Sequence, residues 1–335
     1  MLNIAPIKST PYPTLRSCID DCIQSVAQWQ GKDIKCMYGN AWQMSFAEQQ
    51  SPDQPLIERL ALPRISTDSL SAYHGLMFNY IERKGLAMEK DFMLDLLERR
   101  LSSGMPVLVG FDSYDCPWCV AFRRLHTSHA CLAVGLDRPG NIIYLTDAYY
   151  GKELEAIDFN ILEQACHFYA TFELCDTSRS YTDWETTLHE MLTNPAHQVQ
   201  PGEVAANLRI YADTYLHTGI PADNSAEAGS RLKLYANALP ISRIRFSQFL
   251  QLLNQEASVP ALSRAAEGYR HAGEQWDLIN QFMIKVMCSG NKPAGRVKIH
   301  RRMCEIINLE EQLLEELVQL TMQVDGPGKF INKHY

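Results

Sequence analysis

The sequence has no run of the roughly 18–20 uninterrupted apolar residues that a membrane-spanning helix requires. Its opening stretch, MLNIAPIKSTPYPTL, has no apolar core of the secretory type, so a cytoplasmic address without disulfides is expected. Low-complexity tracts are missing, and so is any basic excess. A net charge of −8 speaks against nonspecific nucleic-acid binding. The GxGxxG and GxxxxGK[ST] glycine patterns, the HExxH helix and the GxSxG elbow are all absent. The usual signatures of dinucleotide, P-loop, zincin and serine-hydrolase chemistry are therefore missing, and no cofactor is expected.

What is present is globular in composition: 335 residues, 46% hydrophobic and 21% charged. That length suits two domains. Several of the ten cysteines (Cys22, Cys131, Cys166 and Cys304 among them) lie in apolar periodic segments and read as small buried thiols. After an extended, proline-bearing lead-in over 1–16, SCIDDCIQSVAQWQG sets Ile19, Cys22, Ile23, Val26 and Ala27 at helical spacing, with Ser17 as cap and Gly31 as stop. Residues 35–62 read as mixed loop, and helices are expected over 67–84 and 89–103. PVLVGFD, HACLAVGLD and NIIYLTDAY read as strands, with RPGN turning between the last two. YATFELCD (169–176) would close the sheet. From about residue 180 helical periodicity dominates. The expectation is an α+β domain over 1–178, followed by an all-helical domain over 179–335.

Cys18 stands at the first turn of the opening helix. Unpaired N–H groups and the positive end of the helix dipole favour a thiolate there, although Asp20 and Asp21 oppose it. A thiol nucleophile needs a base in reach and a third group that fixes the base's tautomer. His129 opens one strand of the RPGN hairpin and Asp147 ends the other. Both side chains leave the same sheet face only if paired residue numbers sum to an even value, which the turn does not dictate. His126 competes with His129 as the base. CPWC (116–119) admits a redox reading or, with His126 and His129, a zinc reading as C-x2-C-x6-H-x2-H. The first lacks the following helix and the second has too short a spacer, so an aromatic-flanked pocket wall is the simpler assignment. Asp112 and Asp115 read first as turn caps. The segment NKPAGRVKIHRRM (291–303), to which Arg243 and Arg245 would add, is a basic patch in an acidic chain and fits an acidic partner.

Together, Cys18, PVLVGFDSYD, HTSHACLAVGLD, TDAYYG and AAEGYRHAGEQWDLI make the chain resemble the acyltransferase family typified by butirosin biosynthesis protein H. The resemblance implies a papain-like cysteine domain related to double-glycine leader peptidases, followed by a helical domain. It implies transfer of an acyl group from the phosphopantetheine thioester of an acyl carrier protein to a small-molecule amine, as in specialised-metabolite biosynthesis. Cys18 would be the nucleophile, His129 the base and Asp147 the orienting acid. Asp112, Tyr114 and Trp118 would contact substrate, and Arg296, Lys298, Arg301 and Arg302 the carrier. The related peptidases place an oxyanion-hole glutamine a few residues before the cysteine, where this chain has Thr14, Leu15, Arg16 and Ser17. The same triad with water as acceptor would be a thioesterase, amidase or peptidase, and an inert cysteine domain would leave a carrier-binding module.

Overall fold

A computed structural model describes residues 1–47, 56–82, 89–194, 199–220 and 237–322. Among these, the apolar runs pair into one antiparallel sheet in the order β3-β8-β4-β5-β6-β7. The strands are β3 (Leu76–Glu82), β4 (Val107–Asp112), β5 (Ser128–Asp137), β6 (Ile142–Asp147), β7 (Lys152–Asp158) and β8 (Cys166–Leu174). A short ladder joins β1 (Ser45–Phe46) to β2 (Leu60–Ala61). The class is α+β, with an antiparallel sheet and a helical region toward the C-terminus. Among the described residues no helix is long and apolar enough to cross a membrane.

The chain divides into two compact units. The first takes in Met1–Ile34 and Thr67–Ser178 and holds the sheet. Val107, Val109 and Phe111 of β4, Cys131 and Ala133 of β5, and Ile143 and Leu145 of β6 bury one sheet face. Met93, Leu94 and Leu97 of α3 (Lys90–Ser102) and Phe159 and Leu162 of α4 (Phe159–Ala165) cover it. Helix α1 (Cys18–Trp29) lies along β5, with the Cys22 thiol 3.7 Å from the Ala130 carbonyl oxygen. The lead-in is anchored to α1: the Asp21 carboxylate accepts from Ser9 N–H at 2.7 Å and the Ser25 hydroxyl from Ile7 N–H at 2.8 Å.

The second unit combines Lys35–Ser66 with the chain from Arg179 onward. Its helices are α5 (Trp184–Thr193), α6 (Pro201–Thr218), α7 (Ala238–Ala257), α8 (Pro260–Cys288) and α9 (Pro293–Met322). A division at 178 alone does not describe the chain, because CMYGNAWQ (36–43) buries its aromatics among these helices. The Trp42 indole N–H donates to the Met191 carbonyl at 3.1 Å. Arg243, fully buried, bonds Glu310 at 2.8–2.9 Å and the Ala41 carbonyl at 3.2 Å. Arg243 is thus a core cation and adds nothing to a surface patch, while Arg245 lies over the Tyr38 ring at 5.7 Å. Tyr269, Trp276, Ile279 and Met283 of α8 are core.

The helix expected over 67–84 ends early: α2 covers Thr67–His74 and β3 follows. Gly75 is the break, at φ +63°, with the Cys175 carbonyl only 2.5 Å from where a Cβ would stand. Beyond it Leu76 and Phe78 are buried and Met77 is exposed, a period of two that marks a strand. Residues 83–84 of that helix, and 195–198, 221–236 and 323–335 of the expected helical domain, lie outside the described residues. β8 closes the sheet from within, between β3 and β4.

Candidate active site

Ser17 caps α1, its hydroxyl accepting from Asp20 N–H at 3.4 Å, so Cys18 is the first helical residue. Its thiol is partly exposed. His129 faces it from the start of β5, close enough for the Cys18 sulfur to raise the imidazole's affinity for a proton. The ring nitrogen Nε2 donates to Asp147 Oδ2 at 2.7 Å, which leaves Nδ1 for the sulfur. Asp147 is fully buried and its carboxylate is fully engaged. Oδ2 also accepts from the Trp118 indole N–H at 2.7 Å, and Oδ1 from Tyr150 N–H at 3.0 Å.

The hairpin alone would not assemble this site. Near the turn Gly135 stands opposite Tyr144 and Leu136 opposite Ile143, an odd register that would send Asp147 to the face opposite His129. One extra residue, Val134, forms a bulge, and beyond it Ala133 pairs with Leu145 and Leu132 with Thr146. The register is then even, and His129, Cys131 and Asp147 share a face, with their ligand-type atoms within 4.8 Å of one another. The bulge is held from outside the hairpin: Leu2 N–H donates to the Val134 carbonyl at 2.7 Å.

Electrostatics follow from this packing. Burial disfavours a charged imidazole, but the Asp147 carboxylate and the Cys18 sulfur outweigh it and lift His129 from 6.5 to about 10. Burial likewise opposes the Asp147 carboxylate, yet His129, Trp118 and the Tyr150 amide hold it below its ordinary range. The arrangement favours a protonated imidazole held between the Asp147 carboxylate and the Cys18 sulfur. Phe111, Tyr149 and Tyr150 pack against the His129 ring at centroid distances of 6.2, 5.9 and 5.3 Å and shield it from water.

His126, the rival base, is exposed and sits elsewhere in the chemistry. Its Nδ1 meets Asp112 Oδ2 at 2.6 Å and its ring stacks on Tyr114 at 4.4 Å. Asp112 also caps Tyr114 N–H at 2.9 Å and so acts as a turn former, while Asp115 pairs with Arg123 at 3.4 Å. The C-x2-C-x6-H-x2-H set is not assembled. Instead the Cys116 and Cys119 sulfurs group with Asp147, their atoms within 4.8 Å of one another. Trp118, expected to touch substrate, spends its N–H on Asp147.

Within the basic segment, Arg296 donates to the His217 carbonyl at 2.6 Å and His300 bonds Asp213 at 2.8 Å. Lys298, Arg301 and Arg302 are exposed, Arg302 lying over the Phe282 ring at 5.8 Å. Sequence reasoning missed Arg16. Its guanidinium lies 4.6 Å over the Tyr149 ring, and its buried Nη1 makes no hydrogen bond, with Asp21 Oδ2 at 3.8 Å. Its place two residues before Cys18 was the available signal. No protein-family model matches this chain, and neither does any curated protein.

Proposed function

We propose that the protein is a cysteine acyltransferase with a papain-like catalytic unit. It accepts an acyl group from an acyl-carrier-protein thioester and delivers it to a small-molecule amine. The observation that carries this reading is His129, bonded to Asp147 through Nε2 and placed beside the Cys18 sulfur. The resemblance drawn from the sequence supplies the donor and acceptor classes.

The Cys18 thiolate attacks the thioester carbonyl, and the Cys18 backbone N–H supplies one donor to the developing oxyanion. The C–S bond to the carrier breaks, and the departing thiolate takes the proton from His129. The amine then attacks the acyl-enzyme and gives a proton to the now neutral imidazole. An amide leaves, and the thiolate–imidazolium pair is restored. Asp147 keeps Nε2 protonated throughout, so that Nδ1 is the working nitrogen. Exposed Lys298, Arg301 and Arg302 suit an acidic carrier.

Product analysis with an acyl-carrier thioester, with and without a panel of amines, tests the reading. Amide that depends on both the amine and Cys18 is expected. Free acid released at one rate whether or not an amine is present would replace transfer with hydrolysis.

A further inference from the structure

The CPWC turn carries two thiols that the acyl chemistry leaves unused. Cys119 N–H donates to the Cys116 carbonyl at 3.1 Å, closing a turn in which both sulfurs point inward and are buried. The two sulfurs and an Asp147 oxygen lie within 4.8 Å of one another. Between the two cysteines, Trp118 reaches out to donate its indole N–H to Asp147 at 2.7 Å. The turn therefore has one hand on the orienting carboxylate and a closable dithiol at its base.

We propose that Cys116 and Cys119 form a redox modification site, which a small peroxide closes to a disulfide, withdrawing Trp118 from Asp147 and slowing chemistry at Cys18. The Cys116 sulfur attacks hydrogen peroxide. An S–O bond forms, the O–O bond breaks, and hydroxide leaves to become water with the thiol's proton. Cys119 then attacks the sulfenic sulfur and gives up its proton. The S–S bond forms, the S–O bond breaks, and a second water departs. Each thiol gives one electron, and peroxide takes two. A dithiol reductant reverses the change.

Two further observations support this pairing. With the two sulfurs within 4.8 Å, each acts on the other: the Cys116 thiol is lowered and that of Cys119 raised, so one is the attacking sulfur and the other the resolving one. Burial instead pushes Cys22 and Cys131 well up, and they stay protonated. A disulfide draws two neighbouring sulfurs to about 2 Å. The residues between them, Pro117 and Trp118, move with the turn. Formation of the bridge stands on the dithiol geometry alone, whereas its effect on transfer rests on the function proposed above.

The test uses the full chain. After exposure to hydrogen peroxide and quenching with iodoacetamide, trypsin releases Leu101–Arg123, which holds Cys116 and Cys119 and no other cysteine. That peptide is expected unalkylated and lighter by two hydrogens, and alkylated at both sites after dithiothreitol. Acyl transfer should fall by about five-fold or more on bridging and recover on reduction. Cys119→Ala keeps any direct oxidation of Cys18, so the reversible loss in the wild type must exceed its loss. Double alkylation after peroxide overturns the site, as does stoichiometric zinc retained by the two thiols in purified protein. A bridge that leaves transfer and Cys18 alkylation unchanged overturns the gating. A bridge that slows Cys18 alkylation in a protein that never transfers acyl groups leaves this site standing and sinks the transferase reading.

Discussion

Replacing Asp147 with asparagine removes a charge while nearly preserving shape, and its consequences follow from the contacts. His129 is lifted from 6.5 to about 10, and each unit corresponds to about 1.4 kcal/mol, so the protonated ring gains on the order of 5 kcal/mol over what burial costs it. Asp147 and the Cys18 sulfur share that effect. An amide offers one oxygen and one NH2 group, yet both carboxylate positions accept from donors: Oδ1 from Tyr150, Oδ2 from His129 and Trp118. Whichever way the amide turns, its NH2 meets an N–H, a mismatch costing about 1–3 kcal/mol. Without the nearby anion His129 should titrate lower by about 2 units or more. The stability profile changes as well. A histidine raised on folding contributes fully below 6.5 and loses that contribution as pH rises toward about 10. Wild-type unfolding free energy should therefore fall by about 1.4 kcal/mol per unit between pH 7 and 10, and Asp147→Asn should flatten that slope. Asp147, held below 3.8, contributes in the opposite sense and is lost as pH falls. Ring-labelled histidine NMR, with His129→Gln for assignment, and urea unfolding at pH 7 and 9.5 measure both effects. A wild-type His129 midpoint near 6.5, or a midpoint that Asp147→Asn leaves in place, would refute the reasoning.

Three other outcomes are expected. Trp118→Phe removes one charge-assisted bond to Asp147, worth about 1.5–3 kcal/mol, and should lower kcat/KM for transfer by about ten-fold with little change in far-UV circular dichroism. Deleting Val134 closes the bulge and joins the two registers with Ala133 still opposite Leu145, so His129 and Asp147 should keep their common face and the raised His129 titration should persist; a His129 midpoint near 6.5 in this variant would show that the pairing beyond the bulge depends on the extra residue. Arg243→Met strands the buried Glu310 carboxylate and should cost about 3–5 kcal/mol in urea unfolding, partly relieved by Glu310→Leu in the same chain.

The candidate residues were more legible than the geometry that groups them. Ser17, Cys18 and Gly31 declare a capped helix with a thiol at its tip because capping and φ preferences are local. The strands bearing His129 and Asp147 follow from their apolar runs. Their common face does not, since it depends on Val134 being unpaired, and nothing in CLAVGLD distinguishes that valine from its neighbours. Its carbonyl is taken by Leu2, a partner 132 positions away in the chain, which no local pattern can announce. The same holds for residues 35–62, which read as loop because Trp42 and its neighbours pack against helices more than a hundred residues later. At Gly75 the signal was local but was overridden by the apolar residues that follow it, which fit both a helix and a strand. CPWC looked like a passive wall because its partner, Asp147, is distant in sequence.

Everything rests on whether the sulfur at the tip of α1 receives the acyl group. Brief incubation of the protein with an acyl-carrier thioester, acid quenching and peptide mapping answer this directly. The account requires the added acyl mass on Ser17–Lys32, at Cys18, and none in Cys18→Ala or on any other cysteine peptide. An acyl group found at another residue, or persistent transfer by Cys18→Ala at the wild-type rate, would contradict it.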